Sequence, residues 1–224
     1  MADSIPHNRD IPARSPALNP ARRAAWLKTL HQWHWISSAI CLLGMLLFSF
    51  TGITLNHAAQ IEAKPQVTSL AAVLPARYLT ELVQFADAHD GSEAPLPDSL
   101  RHWLRANWSV DPGSRPAEWS ADEVYLPLPR PGGDAWLRIG LADGKVEYEV
   151  TTRGWISYAN DLHKGRHTGA AWNWFIDLFA AACLVFSLSG LLILKFHAAS
   201  RPSTWPVVGL GVVVPVLIAL LFIH

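Results

Sequence analysis

Three long apolar runs dominate the hydrophobic pattern of the chain. The first carries no charged residue over positions 29–61, the second occupies positions 170–194, and the third occupies positions 204–223. Each is about as long as, or longer than, the ~20 apolar residues that an α-helix needs to cross a bilayer. The pattern therefore predicts three transmembrane helices, over residues 31–57, 168–197 and 204–224.

Between the first and second runs, the pattern becomes that of a small soluble domain, predicted over residues 58–165. In "ARYLTELVQFADAH", Leu79, Leu82, Val83 and Ala86 recur at helical spacing. A second short helix is expected in "DSLRHWLRAN", with Asp98 as its N-cap.

The later half of this domain alternates with the period of a strand. The stretches "EVYLPLP" and "AWLRIGL" alternate apolar and other residues, with a Pro-Gly-Gly-Asp turn between them. Asp143-Gly144 is a hairpin signal before "KVEYEV". The predicted fold is thus an α-helical membrane protein with three transmembrane helices and one small α+β domain between the first and second.

Composition agrees with a membrane protein. Of the 224 residues, 50% are hydrophobic and 16% are charged. The first apolar run is longer than the apolar region of a signal peptide, so we expect it to be retained. Residues 1–28, rich in Pro and Arg, are predicted to be a disordered cytoplasmic tail.

The basic residues near the spans predict the orientation. Five of them precede the first span, and Lys195 and Arg201 lie between the second and third spans, so both segments should be cytoplasmic. The soluble segment is mildly acidic and has no basic face suited to nucleic acid. We expect a multi-pass protein of a bacterial inner membrane, in contact with the lipid bilayer, with its soluble domain in the periplasm.

Several kinds of chemistry are not expected. Cys41 and Cys183 both lie within apolar runs, so the soluble domain has neither a disulfide framework nor a cysteine zinc site. The chain contains no nucleophile motif, phosphate loop or NAD(P) or flavin motif. Any chemistry is therefore expected in the membrane part.

Histidines mark the ends of the predicted spans. On the cytoplasmic side these are His31, His34 and His197. On the outer side they are His57, His163, His167 and His224.

Two imidazoles from different helices can provide the two axial nitrogens of a b-type haem. An outer haem would use His57 with His163 or His167, and an inner haem would use His31 or His34 with His197. About 35 Å of helix separates His34 from His57, slightly more than the ~30 Å hydrocarbon core. Two haems that far apart would exchange electrons poorly, so one haem b is favoured over two.

Two further roles for these histidines stay open. Imidazoles, like the nearby tryptophans, are amphipathic and suit the headgroup level of a bilayer. Alternatively, His163 and His167, at i,i+4 on one helix face, could bind zinc, copper or non-haem iron.

Asp177 is a single acid within the second span. An intramembrane carboxylate is a candidate proton site, although an acid near a helix N-terminus is also stabilised there. The glycines of the spans, among them Gly52 and Gly190, are expected to allow close helix packing.

At "LHQWHWISSAICLLGMLLFSFTGITLNHA", "DLHKGRHTG" and the terminal apolar helix, the chain resembles the PepSY-associated transmembrane helix family in its short three-span form. The soluble domain is similar in arrangement to a PepSY module. The resemblance implies His34, His57, His163 and His167 as motif positions, with His31, His197 and His224 as further candidates. Larger relatives with PepSY domains resemble inner-membrane reductases that act on ferric siderophores.

Two hypotheses follow. The first is a b-type cytochrome that accepts electrons from quinone or a membrane donor and passes them to a periplasmic redox or flavinylated protein or a ferric siderophore, with a homodimer completing the electron path. The second is a non-redox membrane adaptor or sensor, whose PepSY-like domain binds a protein or peptidase and whose histidines are interfacial belt residues or a pH-sensitive element.

Overall fold

The structure, a computed structural model, describes residues 20–61 and 64–223. Its α-helices are α1 (Pro20–Asn56), α2 (Ala76–His89), α3 (Asp98–Trp108), α4 (Trp155–Lys164), α5 (Ala170–His197) and α6 (Thr204–Phe222). Its strands are β1 (Gln66–Val73), β2 (Glu93–Pro95), β3 (Pro116–Trp119), β4 (Glu123–Pro127), β5 (Gly133–Gly140) and β6 (Lys145–Thr152). A short 3₁₀ helix, Ala198–Ser200, follows α5.

Helices α1, α5 and α6 are long and apolar enough to cross a membrane. The structure thus contains three candidate membrane-spanning helices, as predicted, with an α+β region between the first two. The described part of the chain forms two compact units, one of residues 20–42 and 179–223 and the other of residues 43–61 and 64–178.

The first helix begins earlier than its predicted span. The prediction of a disordered tail is wrong for residues 20–28, which are helical. Pro20 suits the first position of a helix because its missing N–H would have no partner there, and the following "ARRAAWLK" is rich in helix-favouring residues. Residues 1–19, the rest of the predicted tail, lie outside the described residues.

The strands form one antiparallel sheet in the order β1-β6-β5-β4-β3-β2. The predicted meander is β4, β5 and β6, and Gly144 takes the left-handed conformation in the predicted Asp143-Gly144 turn. The pairing of β1 with β6 places Gln66 opposite Thr152. The first and last residues of the sheet are thus neighbours.

One hydrophobic core joins the sheet to helices α2 and α3. Alternate residues of the strands are buried, with Leu126, Leu137 and Ile139 at or below 1% exposure. Leu82 of α2 and Leu104 of α3 belong to the same core cluster. The apolar face predicted for α2 is therefore real, although Val83 is 38% exposed.

The two edges of the sheet differ. Strand β2 is three residues long and ends in Pro95, which has no N–H to offer a further strand. Strand β1 has eight residues, no charged side chain, and exposed Val67 and Val73. The β1 edge is thus open and the β2 edge is protected.

Three strands and one helix were not predicted from the sequence. Strands β1, β2 and β3 show no clear alternation of buried and exposed residues or are too short to recognise. Asp98 is the first residue of α3, not its N-cap; Pro97 holds the cap position, and the Asp98 carboxylate instead accepts a hydrogen bond from Arg101.

An exposed ion pair lies after α3. Arg105 donates to Asp111 Oδ1 at 2.7 Å, and this hydrogen bond lowers the pKa of the Asp111 carboxyl. Because the folded pKa is depressed, the stabilising effect is present above the usual pKa of a carboxyl and is lost as the pH falls through the lowered value.

Helix α4, which the sequence did not reveal, is attached to the sheet by a carboxylate. The Gly132 N–H donates to Asp161 Oδ2 at 2.8 Å, and Asp161 is 9% exposed. A Cβ on Gly132, whose φ is 71°, would lie 2.7 Å from the Tyr158 backbone. The turn before β5 can therefore approach α4 this closely only with glycine.

Replacing a core leucine tests the sheet packing. Leu137→Ala should lower the free energy of unfolding of the domain by about 2–5 kcal/mol, because a cavity replaces buried methyl groups. Hydrogen exchange of the β5 amides in the full-length protein in detergent measures this loss. The control, Val67→Ala, removes an exposed side chain and should change exchange little; equal effects would contradict the assigned core.

Candidate functional site

His163, on α4, is held by a hydroxyl group of α1. Its Nδ1 lies 2.6 Å from Thr51 Oγ1, and that oxygen lies 3.0 Å from the carbonyl oxygen of Leu47. All three atoms are satisfied when Thr51 donates to Leu47 and accepts from the Nδ1–H of His163. In this tautomer the Nε2 lone pair of His163 is available to another partner.

The surroundings of this imidazole are mostly apolar. The centroids of the Phe48 and His163 rings are 4.9 Å apart. A Cβ on Gly52 would lie 3.8 Å from Cε1 of His163. A small cavity of about 30 Å³ lies beside it. Trp172 contributes to the cavity wall and donates to the Leu162 carbonyl oxygen at 2.8 Å.

His34, on α1, is held in a similar way by α5. Its Nδ1 lies 3.2 Å from the carbonyl oxygen of Phe186 and 3.1 Å from Ser189 Oγ. A carbonyl oxygen can only accept, so Nδ1 carries the proton. The ring stacks on Phe186 with centroids 4.6 Å apart, and a Cβ on Gly190 would lie 3.1 Å from its Cε1.

The two histidines contact the same short motif on different helices. Positions 48–52 of α1 read Phe-Ser-Phe-Thr-Gly, and positions 186–190 of α5 read Phe-Ser-Leu-Ser-Gly. In both, an aromatic ring, a hydroxyl and a glycine at i, i+3 and i+4 share one helix face. We call each a histidine cradle.

The histidine cradles were missed from the sequence, although the repeated Phe-Ser-x-(Ser/Thr)-Gly pattern is visible in it. Gly52 and Gly190 were expected to allow close packing, and each packs against an imidazole.

His31 of α1 and His197 of α5 form a ring contact. Their centroids are 6.2 Å apart and the ring planes are nearly perpendicular, at 87°. The Nδ1 of His31 donates to the Leu27 carbonyl oxygen at 2.7 Å, and that of His197 donates to the Ile193 carbonyl oxygen at 2.9 Å. Both Nε2 atoms therefore keep a lone pair.

The other candidates on the predicted outer side are exposed. His57 Nδ1 donates to the Ile53 carbonyl oxygen at 3.0 Å. His167 lies between α4 and α5 with a φ of 57°, and Asp177 lies on α5. Within the described residues, no ring contact joins His57 to His163 or His167, so the predicted outer pair stays a prediction. His224 lies outside the described residues.

The helical spacing expected for a non-haem metal site is wrong. Helix α4 ends at Lys164, where Gly165 takes the left-handed conformation and donates back to the carbonyl oxygens of Asp161 and Leu162. His163 and His167 therefore do not share a helix. Residues 20–61 and 64–223 contain no group of three His, Cys, Asp or Glu side chains able to hold a metal ion.

The donor chemistry of these imidazoles fits haem iron. Axial histidines bind iron through one ring nitrogen while the other donates to a hydrogen-bond acceptor. His31, His34, His57, His163 and His197 all have Nδ1 bonded and Nε2 available. Among them, the structure brings His31 and His197 together.

The fold and these sites define a multi-pass membrane protein whose α+β domain is inserted between its first two membrane helices. A family model described as PepSY_TM-like matches residues 25–224. The chain belongs to this family. Comparisons with curated proteins and with solved structures gave no match.

Enlarging the glycine beside His34 should disturb the α1–α5 contact. Gly190→Leu should lower the free energy of unfolding by about 1–3 kcal/mol, because the new side chain overlaps the imidazole. Thermal unfolding in detergent measures the effect. In the control, Gly209→Leu, the new Cβ meets no atom within 4 Å. Equal stability of the two variants would contradict the packing.

The hydroxyl of Thr51 should determine the tautomer of His163. Thr51→Val leaves the Nδ1–H without an acceptor, which should cost about 1–3 kcal/mol of stability. Nitrogen NMR of labelled histidine should show loss of the single Nδ1–H tautomer at His163, and Thr51→Ser should restore it. Thr29→Val, at an exposed hydroxyl that bonds only its own helix, is the control. An unchanged His163 tautomer in Thr51→Val would refute the assignment.

Proposed function

We propose that this protein is a b-type cytochrome of a bacterial inner membrane that passes electrons to a periplasmic acceptor. The observation that carries the proposal is the His31–His197 pair, with ring centroids 6.2 Å apart on two membrane helices. Each ring has its Nδ1 bonded within its own helix and keeps a lone pair on Nε2, so the two imidazoles could hold one haem iron.

The residues of the chain bind and orient the group. His31 and His197 would hold the iron through Nε2, and the carbonyl oxygens of Leu27 and Ile193 fix both rings by accepting from Nδ1. Haem b, when bound, supplies a one-electron iron couple. An outer haem, held by His57 with His163 or His167, stays a prediction.

The route of the electrons is part of the same proposal. Because the sequence has no NAD(P) or flavin motif, the donor is the quinone pool or another membrane protein. The acceptor, a ferric siderophore or a redox or flavinylated protein, is inferred from the resemblance to larger PepSY reductases. The basic residues before the first apolar run, and Lys195 and Arg201 after the second, support a cytoplasmic N-terminus.

A reduced-minus-oxidised absorption spectrum tests the proposal. Full-length protein, purified in detergent from cells supplied with a haem precursor, should show a sharp α-band after dithionite reduction. His31→Ala and His197→Ala should each abolish most of the band, because each removes one axial ligand. His102→Ala, at an exposed position on α3, is the matched control and should retain it.

Other results would contradict the proposal. Wild-type protein without the band would refute a cytochrome. A band that survives in His31→Ala and His197→Ala but is lost in His163→Ala would refute the assigned ligand pair.

The second candidate is the non-redox adaptor or sensor, and the β1 edge favours it. This strand is open, uncharged and exposed, as are edges that accept a strand from another protein. A colourless wild-type protein would exclude the cytochrome, and the adaptor or sensor would then be the remaining proposal.

A further inference from the structure

A cavity of about 310 Å³ lies between the end of α1, the start of α4 and the end of β6. Its wall includes Ala58 and Ile61, which follow α1, and Arg153 and Trp155, which surround the start of α4. The cavity lies within residues 58–160, entirely inside one compact unit. Its volume is at the lower end of the range of about 300–1,000 Å³ for ligand sites.

The polar groups of this cavity are hydrogen-bond donors and cations. Arg153 and Lys64 line it, none of the described lining residues carries a carboxylate, and neither cation has an ion pair within the described residues. Asn160 is 8% exposed, and its Oδ1 accepts from Thr54 at 2.6 Å. Because Oδ1 accepts this bond, the Asn160 side chain has its amide N–H groups to offer to a further partner.

The start of α4 adds to the same polarity. Gly154 occupies the N-cap position with a φ of 87°, and no side chain in the described part of the molecule caps the helix. The first N–H groups of the helix therefore have no side-chain acceptor at the cavity wall. A negatively charged group is therefore favoured here by the buried amide of Asn160, by the two cationic side chains and by the N-terminus of α4.

The remainder of the wall is apolar and adjoins a membrane helix. Ile61 and Ile156 line the cavity, and Trp155 is 67% exposed. The uncharged run that contains most of α1 ends at Ile61, so the cavity lies near the level where a span would meet the headgroups. A ligand that is anionic at one end and apolar at the other matches both parts of the wall.

We propose that this cavity binds the phosphate group of an anionic phospholipid. Arg153 and Lys64 pair with the phosphate, the Asn160 amide and the first turn of α4 donate to its oxygens, and the apolar wall contacts the glycerol and upper acyl chain. None of these residues is a candidate haem ligand, so the site is independent of the proposed redox function.

Native mass spectrometry of the full-length protein tests the site. Delipidated protein in detergent is titrated with short-chain phosphatidylglycerol and, separately, with phosphatidylcholine of the same chain length. Phosphatidylglycerol should bind more tightly, and Arg153→Gln should weaken its binding about tenfold or more, the size expected for loss of a charge-assisted hydrogen bond. Lys64→Gln, at an exposed position that does not support the fold, should weaken it as well.

Matched controls separate a site from general attraction. Arg115→Gln removes the same charge from an exposed position elsewhere on the domain and should leave binding unchanged. Equal weakening by Arg115→Gln, or equal binding of the two lipids, would overturn the proposal.

A final arm uses inorganic phosphate. If phosphate alone displaces the lipid at equal concentration, the cavity is a free-anion site and the lipid proposal fails. Displacement only by lipid supports it.

Discussion

A ring nitrogen or hydroxyl inside an apolar helix bundle must be bonded, because an unsatisfied polar group there has a high desolvation cost. The hydroxyls of Thr51 and Ser189 meet this requirement with bonds to their own helix and to an imidazole on another. The same bonds decide which nitrogen of each histidine is left unbonded. Helix packing and the choice of histidine tautomer therefore depend on the same few atoms.

The sheet domain provides the second constraint. Because β1 pairs with β6, Gln66 faces Thr152, and α4 begins three residues later. The domain is thus an insertion whose two connections are close together, which allows α4 to contact the C-terminal part of α1 through Thr54 and Asn160. The Asp161 bond to Gly132 adds a direct link between α4 and the sheet. The position of His163 accordingly depends on the folded domain as well as on the membrane helices.

The sequence predicts those elements that have a strong periodic signal. The apolar runs, the helical spacing in α2 and the alternation in β4, β5 and β6 each report burial on one side of an element. Strand β1 has no such signal, because it is an edge strand whose residues are nearly all exposed. Helix α4 is short, and its buried residues include Asn160 and Asp161, so its pattern does not look apolar.

The candidate site is predictable to a similar extent. Histidines stand out by residue type and by their positions near span ends, but their pairing depends on how the helices are rotated against each other, which no local sequence pattern encodes. The prediction that His163 and His167 lie at i,i+4 on one helix face is wrong because Gly165 ends the helix between them.

The order of the strands also affects how the chain is made. Strand β1 is the first part of the sheet to be synthesised, and β6, its neighbour in the sheet, is the last. The β1 backbone therefore stays unpaired until β6 has been synthesised. A pairing between strands so distant in sequence is slow to form. Since α5 begins soon after β6 ends, the sheet can close only when the synthesis of the second membrane helix is about to begin or has begun.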